Sequence, residues 1–227
     1  MAKKNLLRRL RNTALLTLAL GAPTLTASAA VIVSYSYASD LNATSQVAEV
    51  LSTSTASSLA NGYVGNDGFG NVFEAYSGAA TTASAAISGG NYFAVDVVLT
   101  PGSTMNLASL AFAVGAGDNI NNGTRGYVVR SSVDSFASDL FSETFASGTG
   151  YASPTARSIN LSGAAFQGLS SIDFRFYVFN PAAFQSTDFR NLALDGTINA
   201  ASVPEPTILL TFGTGLALLM WKRRVHS

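Results

Sequence analysis

The chain is predicted to be all-β, an antiparallel β-sandwich, preceded by an N-terminal signal peptide and followed by a single C-terminal transmembrane helix. Three observations lead there. Through the middle of the chain apolar residues recur at every second position, the period of a half-buried strand. Turn signals rich in Gly, Pro, Asn and Asp separate these stretches, and none of the stretches reads as a convincing amphipathic helix. Near each end lies an apolar run beside a cluster of cations. The expected organisation is a signal peptide over 1–29, a sandwich over 30–200 and a C-terminal signal region over 201–227.

The first 29 residues have three parts. Lys3, Lys4, Arg8, Arg9 and Arg11 form a basic region, Thr13–Gly21 an apolar one, and Ala27-Ser28-Ala29 a small-residue cleavage site. Those are the parts of a secretory signal peptide, which places cleavage between Ala29 and Ala30 and implies the secretion translocon as a partner.

Strand candidates follow in order. Val31–Tyr37 is the first. Ala38–Ala60 and Ser77–Gly90 are rich in Ser, Thr and Ala and read as loops, edge strands or mobile segments. In Tyr92–Leu99, Phe93, Val95, Val97 and Leu99 face one way and Asp96 the other. A run from Met105 continues through Leu110, Phe112 and Val114, and Gly126–Arg130, Phe141–Phe145 and Arg157–Leu161 come next. Ser171–Phe179 is the clearest: Ile172, Phe174, Phe176 and Val178 alternate with Asp173, Arg175, Tyr177 and Phe179. Phe189–Ile198 closes the series. Pro101-Gly102, Asn121-Asn122-Gly123, Ser153-Pro154 and Asp195-Gly196 mark turns between strands. Eight or more short strands at this spacing fit a sandwich, with a jelly roll as the expected topology.

The chain then reads Val203-Pro204-Glu205-Pro206, an uncharged run Thr207–Trp221, and Lys222-Arg223-Arg224. As a helix the run would reach about 22 Å, short of the roughly 30 Å apolar core of a bilayer. Trp221 and the cations at 222–224 would stop it at the cytoplasmic face, leaving everything N-terminal outside. The stretch from Val203 to Arg224 resembles the PEP-CTERM sorting signal of bacterial envelope proteins in the order and spacing of its three parts. The resemblance implies an exosortase that cuts near Pro204, Glu205 and Pro206, a transient stay in the bacterial membrane, and release to the cell surface or extracellular matrix of a Gram-negative-type bacterium. A removable hydrophobic tail of this kind leaves a mature protein without a transmembrane helix.

The body is similar to a jelly-roll module found upstream of such signals. The similarity rests on Arg125–Phe136, Ile172–Tyr177 and Asp188–Gly196. It implies a fold shared with carbohydrate-binding modules, without implying that this copy binds sugar.

Composition excludes more than it suggests. Five of the cations lie in the signal peptide and three in the tail. The body keeps Arg125, Arg130, Arg157, Arg175 and Arg190 against twelve carboxylates, a net of −7, and no lysine. Such a surface does not hold phosphate backbones, so nucleic acid is not a partner. The chain has no cysteine, and its only histidine, His226, follows the apolar run. Ser-His-Asp, Cys-His and His-ligated zinc sites are therefore excluded from the body. Carboxylate chemistry survives, but Glu49, Glu74 and Glu143 and nine aspartates show no spacing that marks a catalytic pair. They read as solvated acids, and no enzyme is expected.

Two loops invite comparison with calcium sites. In Asp118–Gly123, Ile120 stands where a liganding oxygen belongs, so a turn fits better and calcium is at most a loop stabiliser. Gly62–Asn71 repeats glycines without the strand-to-helix placement that cradles phosphate. For a glycan, Arg175 and Tyr177 on the outer face of one strand are the candidate contacts, with cross-strand packing as the competing account. The function expected is a non-catalytic envelope or matrix protein, and the alternative is a module that binds extracellular polysaccharide.

Overall fold

The computed structural model describes residues 29–57, 61–66, 71–78, 80–116, 124–145, 154–181 and 185–201. The strands are β1 (Ala30–Tyr35), β2 (Ser45–Gln46), β3 (Val50–Ser57), β4 (Asn61–Asn66), β5 (Asn71–Tyr76), β6 (Tyr92–Leu99), β7 (Thr104–Ala116), β8 (Arg125–Ser131), β9 (Phe141–Phe145), β10 (Thr155–Asn160), β11 (Ser171–Phe179) and β12 (Ser186–Asn199). They form two antiparallel sheets. The larger runs β10-β7-β12-β1-β2, with the β4–β5 hairpin joined through β5 to β12; the smaller runs β3-β6-β11-β8-β9.

Strand β12 organises the larger sheet. Along one edge it pairs with β7 from Thr187 to Asn199. Its other edge is shared, with β5 opposite Ser186–Phe189 and β1 opposite Leu192–Gly196. The change of partner coincides with a register shift between Arg190 and Ala193, where Asn191 takes φ +50°. Asn tolerates that left-handed geometry better than most residues, so the bulge re-aims the strand at little cost.

The two sheets meet across an aromatic core. Phe93 on β6 stacks on Phe176 of β11 with centroids 4.5 Å apart, and meets Phe189 of β12 edge-on at 4.9 Å. Phe112 on β7 reaches Phe176 at 5.3 Å, and Tyr127 on β8 reaches Phe189 at 5.3 Å. All five rings are buried. Each contributes about 1.5–3 kcal/mol through the apolar area it removes from water.

One expectation is corrected. The stretch Ser77–Gly90 contains an α-helix, α1 (Ala83–Gly89), where the sequence suggested loop, edge strand or mobile segment. The hydroxyl of Thr82 accepts the Ala85 N–H at 3.1 Å, and Gly90, at φ +66°, ends the helix in the left-handed conformation. Seven residues with only Ala86 fully buried are too few to show helical periodicity in sequence. The helix lies over the outer face of the smaller sheet, where Ala86 shares a cluster with Val128, Tyr177 and Phe179. Part of the Gly-rich stretch 62–71 is likewise regular structure, forming the β4–β5 hairpin from Asn61↔Tyr76 to Asn66↔Asn71.

Among the described residues no helix is long and apolar enough to cross a membrane. The run expected to do so, 207–221, lies outside them, as do the signal peptide up to residue 28 and the loop at 118–123.

Candidate functional site

The described residues that adjoin the two expected processing junctions lie at one end of the sandwich. Ala30 opens β1 opposite Gly196, and Ala29 and Ala30 are exposed. Three residues beyond Gly196, β12 ends at Asn199 opposite Thr104. Ala201 is then held by its N–H, which donates to Ser103 Oγ at 3.2 Å. Ser103 closes a tight turn through its N–H to the Thr100 carbonyl at 3.0 Å. In that turn Gly102 sits at φ +85°, and a Cβ added to it would lie 3.1 Å from Ala201 Cβ. Pro204, Glu205, Pro206 and the cluster Lys222, Arg223 and Arg224 continue from this point, outside the described residues.

The same end carries a groove of about 220 Å³ lined by the paired ends of β1 and β12 and by the β2–β3 connection. Val31, Ile32, Val47 and Ile198 line it, with Glu49 as its one charged side chain. Val31, at 46% exposure, and Leu51, at 60%, are the large apolar side chains left exposed among the described residues. Leu51 follows Val50, the first residue of β3, which pairs with Leu99 just before the Thr100–Ser103 turn. Both sheets therefore present apolar groups at this rim. The body's arginines lie elsewhere: Arg125 is at the opposite end beside Phe145, and Arg130, Arg157, Arg175 and Arg190 sit farther along their strands.

The candidate glycan contacts sit on the outer face of the smaller sheet, and the structure separates them. Tyr177 exposes only 5% of its surface, packed under α1 and edge-on to Tyr92 at 5.3 Å. A ring so covered offers no face to a pyranose. Arg175 is half-buried, its guanidinium 3.6 Å from the Phe136 ring centroid and 4.5 Å from that of Tyr92. Phe136 reaches this position from a left-handed pair, Ser135 at φ +59° and Phe136 at φ +62°. Its N–H donates to the Ser131 carbonyl at 2.9 Å, and Arg130 Nη1 donates to its carbonyl at 2.9 Å. These bonds compensate a backbone geometry that costs a bulky residue on the order of 1–3 kcal/mol.

Beside Arg175 lies a pair of acids. Asp96 on β6 stands directly opposite Asp173 on β11. Burial pushes both carboxyls above the usual range, and the neighbouring Asp96 charge adds to the rise at Asp173 while Arg175 opposes it. Arg175 Nε lies 3.5 Å from Asp173 Oδ2, whereas Oδ1 is buried without a hydrogen-bond partner. Like charges opposed across two strands repel, so this row is polar at a cost to the fold.

The glutamates correct another expectation, that the acids are simply solvated. Glu143 on β9 receives both Arg157 Nη2 and, at 2.7 Å, Arg157 Nε from β10. It also accepts the Tyr127 hydroxyl at 2.8 Å. Burial pushes its carboxyl up, but the bonds from Arg157 and Tyr127 prevail and hold it below the usual range. The pair ties the edge strand of one sheet to the edge strand of the other. Glu74 is buried and accepts the Tyr76 hydroxyl at 2.6 Å. Among the described residues no group of three or more His, Cys, Asp or Glu is placed to hold a metal.

Strand register brings Asp96 to Asp173, the packing of one sheet edge beside the other brings Glu143 to Arg157, and neither pairing has a local signal in sequence. The shared exit of the two junctions has a faint one, since the first and last strand candidates of a sandwich often pair.

No curated protein matches the chain. Solved structures similar to it include the K3 cleaved adhesin domain of Lys-gingipain from Porphyromonas gingivalis, at 13% identity and TM-score 0.44, covering 74% of this chain and 99% of that one. The CBM22-1 xylan-binding domain of Paenibacillus barcinonensis Xyn10C is similar at 11% identity and TM-score 0.37, covering 76% and 98%. Caldicellulosiruptor saccharolyticus CBM27-1, solved with mannohexaose, is similar at 10% identity and TM-score 0.37, covering 74% and 97%. The family comparison falls on the segment that follows the last strand: residues 202–224 carry the PEP-CTERM protein-sorting motif, which marks a secreted protein targeted to the cell envelope.

Proposed function

We propose that this chain is a non-catalytic protein of the cell envelope or extracellular matrix, exported by a signal peptide cut between Ala29 and Ala30. An exosortase then processes it near Pro204, Glu205 and Pro206. The observation that carries this reading is the sorting motif at 202–224, which starts one residue beyond the described end of the body. The motif thus follows a completed strand, β12, which ends at Asn199, as a segment to be cut away requires. The body is a jelly-roll-type sandwich. Its repeated crossing between sheets, as from β6 to β7 to β8 and from β10 to β11 to β12, supports that topology. Its role is structural or adhesive. Replacing Pro204 and Pro206 together by Ala is expected to leave uncleaved protein in the inner membrane. Normal processing and release of that double variant would contradict the reading.

A second reading, binding of extracellular polysaccharide, rests on the half-exposed row of Asp96, Asp173 and Arg175 beside the Tyr92 ring. A planar guanidinium between aromatic faces, next to carboxylates that accept hydroxyl protons, suits a hydroxyl-rich ligand. Affinity electrophoresis in gels carrying exopolysaccharide is expected to retard the wild-type chain and not Arg175→Ala. Equal mobility of both with and without polysaccharide removes this reading.

A further inference from the structure

We infer that the end of the sandwich bearing Val31 and Leu51 is a lipid-facing surface, held against the interface of the bilayer while the precursor is anchored. The inference rests on the reading of 207–221 as the membrane segment.

Chain length carries the first part of the argument. Five residues separate Ala201 from Thr207, so even a fully extended connection reaches at most about 20 Å. Strand β12 alone has 14 residues and runs about 45 Å from one end of the body to the other. The end at Ala201 is therefore kept beside the bilayer, and the end at Ser186 is carried away from it. Before cleavage, the segment preceding Ala30 ties the same end, since Ala30 pairs with Gly196 on the same strand.

Surface chemistry carries the second part. The exposed large apolar side chains of the described residues, Val31 and Leu51, both lie at this end, one on each sheet. A groove lined by Val47 and Ile198 as well as Val31 lies beside them. The local charges are carboxylates, Glu49 in the groove and Asp195 one residue before Gly196, while the arginines are placed elsewhere. Such a surface meets uncharged lipid by apolar contact and gains nothing from anionic headgroups. Two side chains are too few to recruit a free protein to a membrane. Tethered at the millimolar effective concentrations of a short linker, they are enough to orient one.

The chain contains no cysteine, so single-cysteine variants label cleanly. Leu51→Cys and Val31→Cys at the proposed surface, and Thr144→Cys on β9 near the far end, are each labelled with an environment-sensitive fluorophore. The full chain is reconstituted in phosphatidylcholine vesicles containing doxyl-labelled lipid. The expected result is quenching at positions 51 and 31 at least twofold stronger than at 144. Equal quenching at all three positions in vesicle-bound protein overturns the lipid-facing surface and leaves the anchoring segment standing. Failure of the chain to float with the vesicles overturns both. Agreement of the two rim positions guards against a local disturbance at either one.

Discussion

The two ends of this sandwich are built on opposite plans. At the far end, polar groups are buried and joined. Arg125 Nη1 donates to the Ser186 carbonyl at 2.9 Å and Nη2 to Gln185 Oε1 at 3.2 Å. Asn180, fully buried, donates through Nδ2 to the Ala75 carbonyl at 3.1 Å and accepts the Thr187 hydroxyl at 3.0 Å. Ser77 Oγ accepts the Asn180 N–H at 2.9 Å. At the near end the chain enters and leaves, apolar side chains stay exposed, and a groove is left open. Polar groups are shielded where the fold must be closed, and apolar groups stay uncovered where the termini leave. That asymmetry is what a sandwich held beside a membrane by its termini would use, and it leaves the stability of the fold to the far end and the core.

Substitutions at the far end are expected to have the largest effect on stability. Arg125→Met removes two bonds from a buried charged donor and is expected to cost about 3 kcal/mol in urea unfolding. Asn180→Ala strands the Ala75 carbonyl and the Thr187 hydroxyl, for a loss of about 2 kcal/mol in the same measurement. Between the ends, the acids are expected to respond to pH in opposite directions. Glu143 is held below its usual range, so its contribution is present at neutral pH and fades as pH falls through its folded value. Glu143→Gln is expected to lower stability by about 1 kcal/mol at pH 7 and by less in acid. Asp96 and Asp173 are raised, so their cost is present at neutral pH and is relieved as pH falls through their folded values. Asp96→Asn is expected to stabilise by about 0.5–1 kcal/mol at pH 7, with the gain shrinking toward pH 4. Melting curves of both variants at pH 4 and pH 7 check the two signs together. Leu51→Ser, at the near end, is expected to change unfolding by no more than about 0.5 kcal/mol. A large loss there would erase the contrast between the ends.

Alternation made the sheets legible where one face is core and the other polar. β6, β9 and β11 fall on the expected residues, and β11 buries Ile172, Phe174, Phe176 and Val178 as its pattern requires. The first half was harder because its strands are built from Ser, Thr, Gly and Ala, which carry little period. The helix at Ala83–Gly89 is held by its caps and by what it covers, and both depend on neighbours distant in sequence. For the same reason Tyr177, read as an outward ring, is buried by a helix that begins 94 positions earlier. Of the candidate site, the motif at 202–224 was legible because its three parts follow one another in the sequence and depend on no strand pairing. The shared exit of the two junctions, the groove and the exposed rim arise from strand pairing, which no local pattern encodes.

The central claim, that both terminal segments are removed and the sandwich alone reaches the surface, is tested most directly by the intact mass of the protein released from cells. The account predicts a single species beginning at Ala30 and ending near Pro204–Pro206. A mass that includes residues 207–227, or one that starts at Met1, would contradict it.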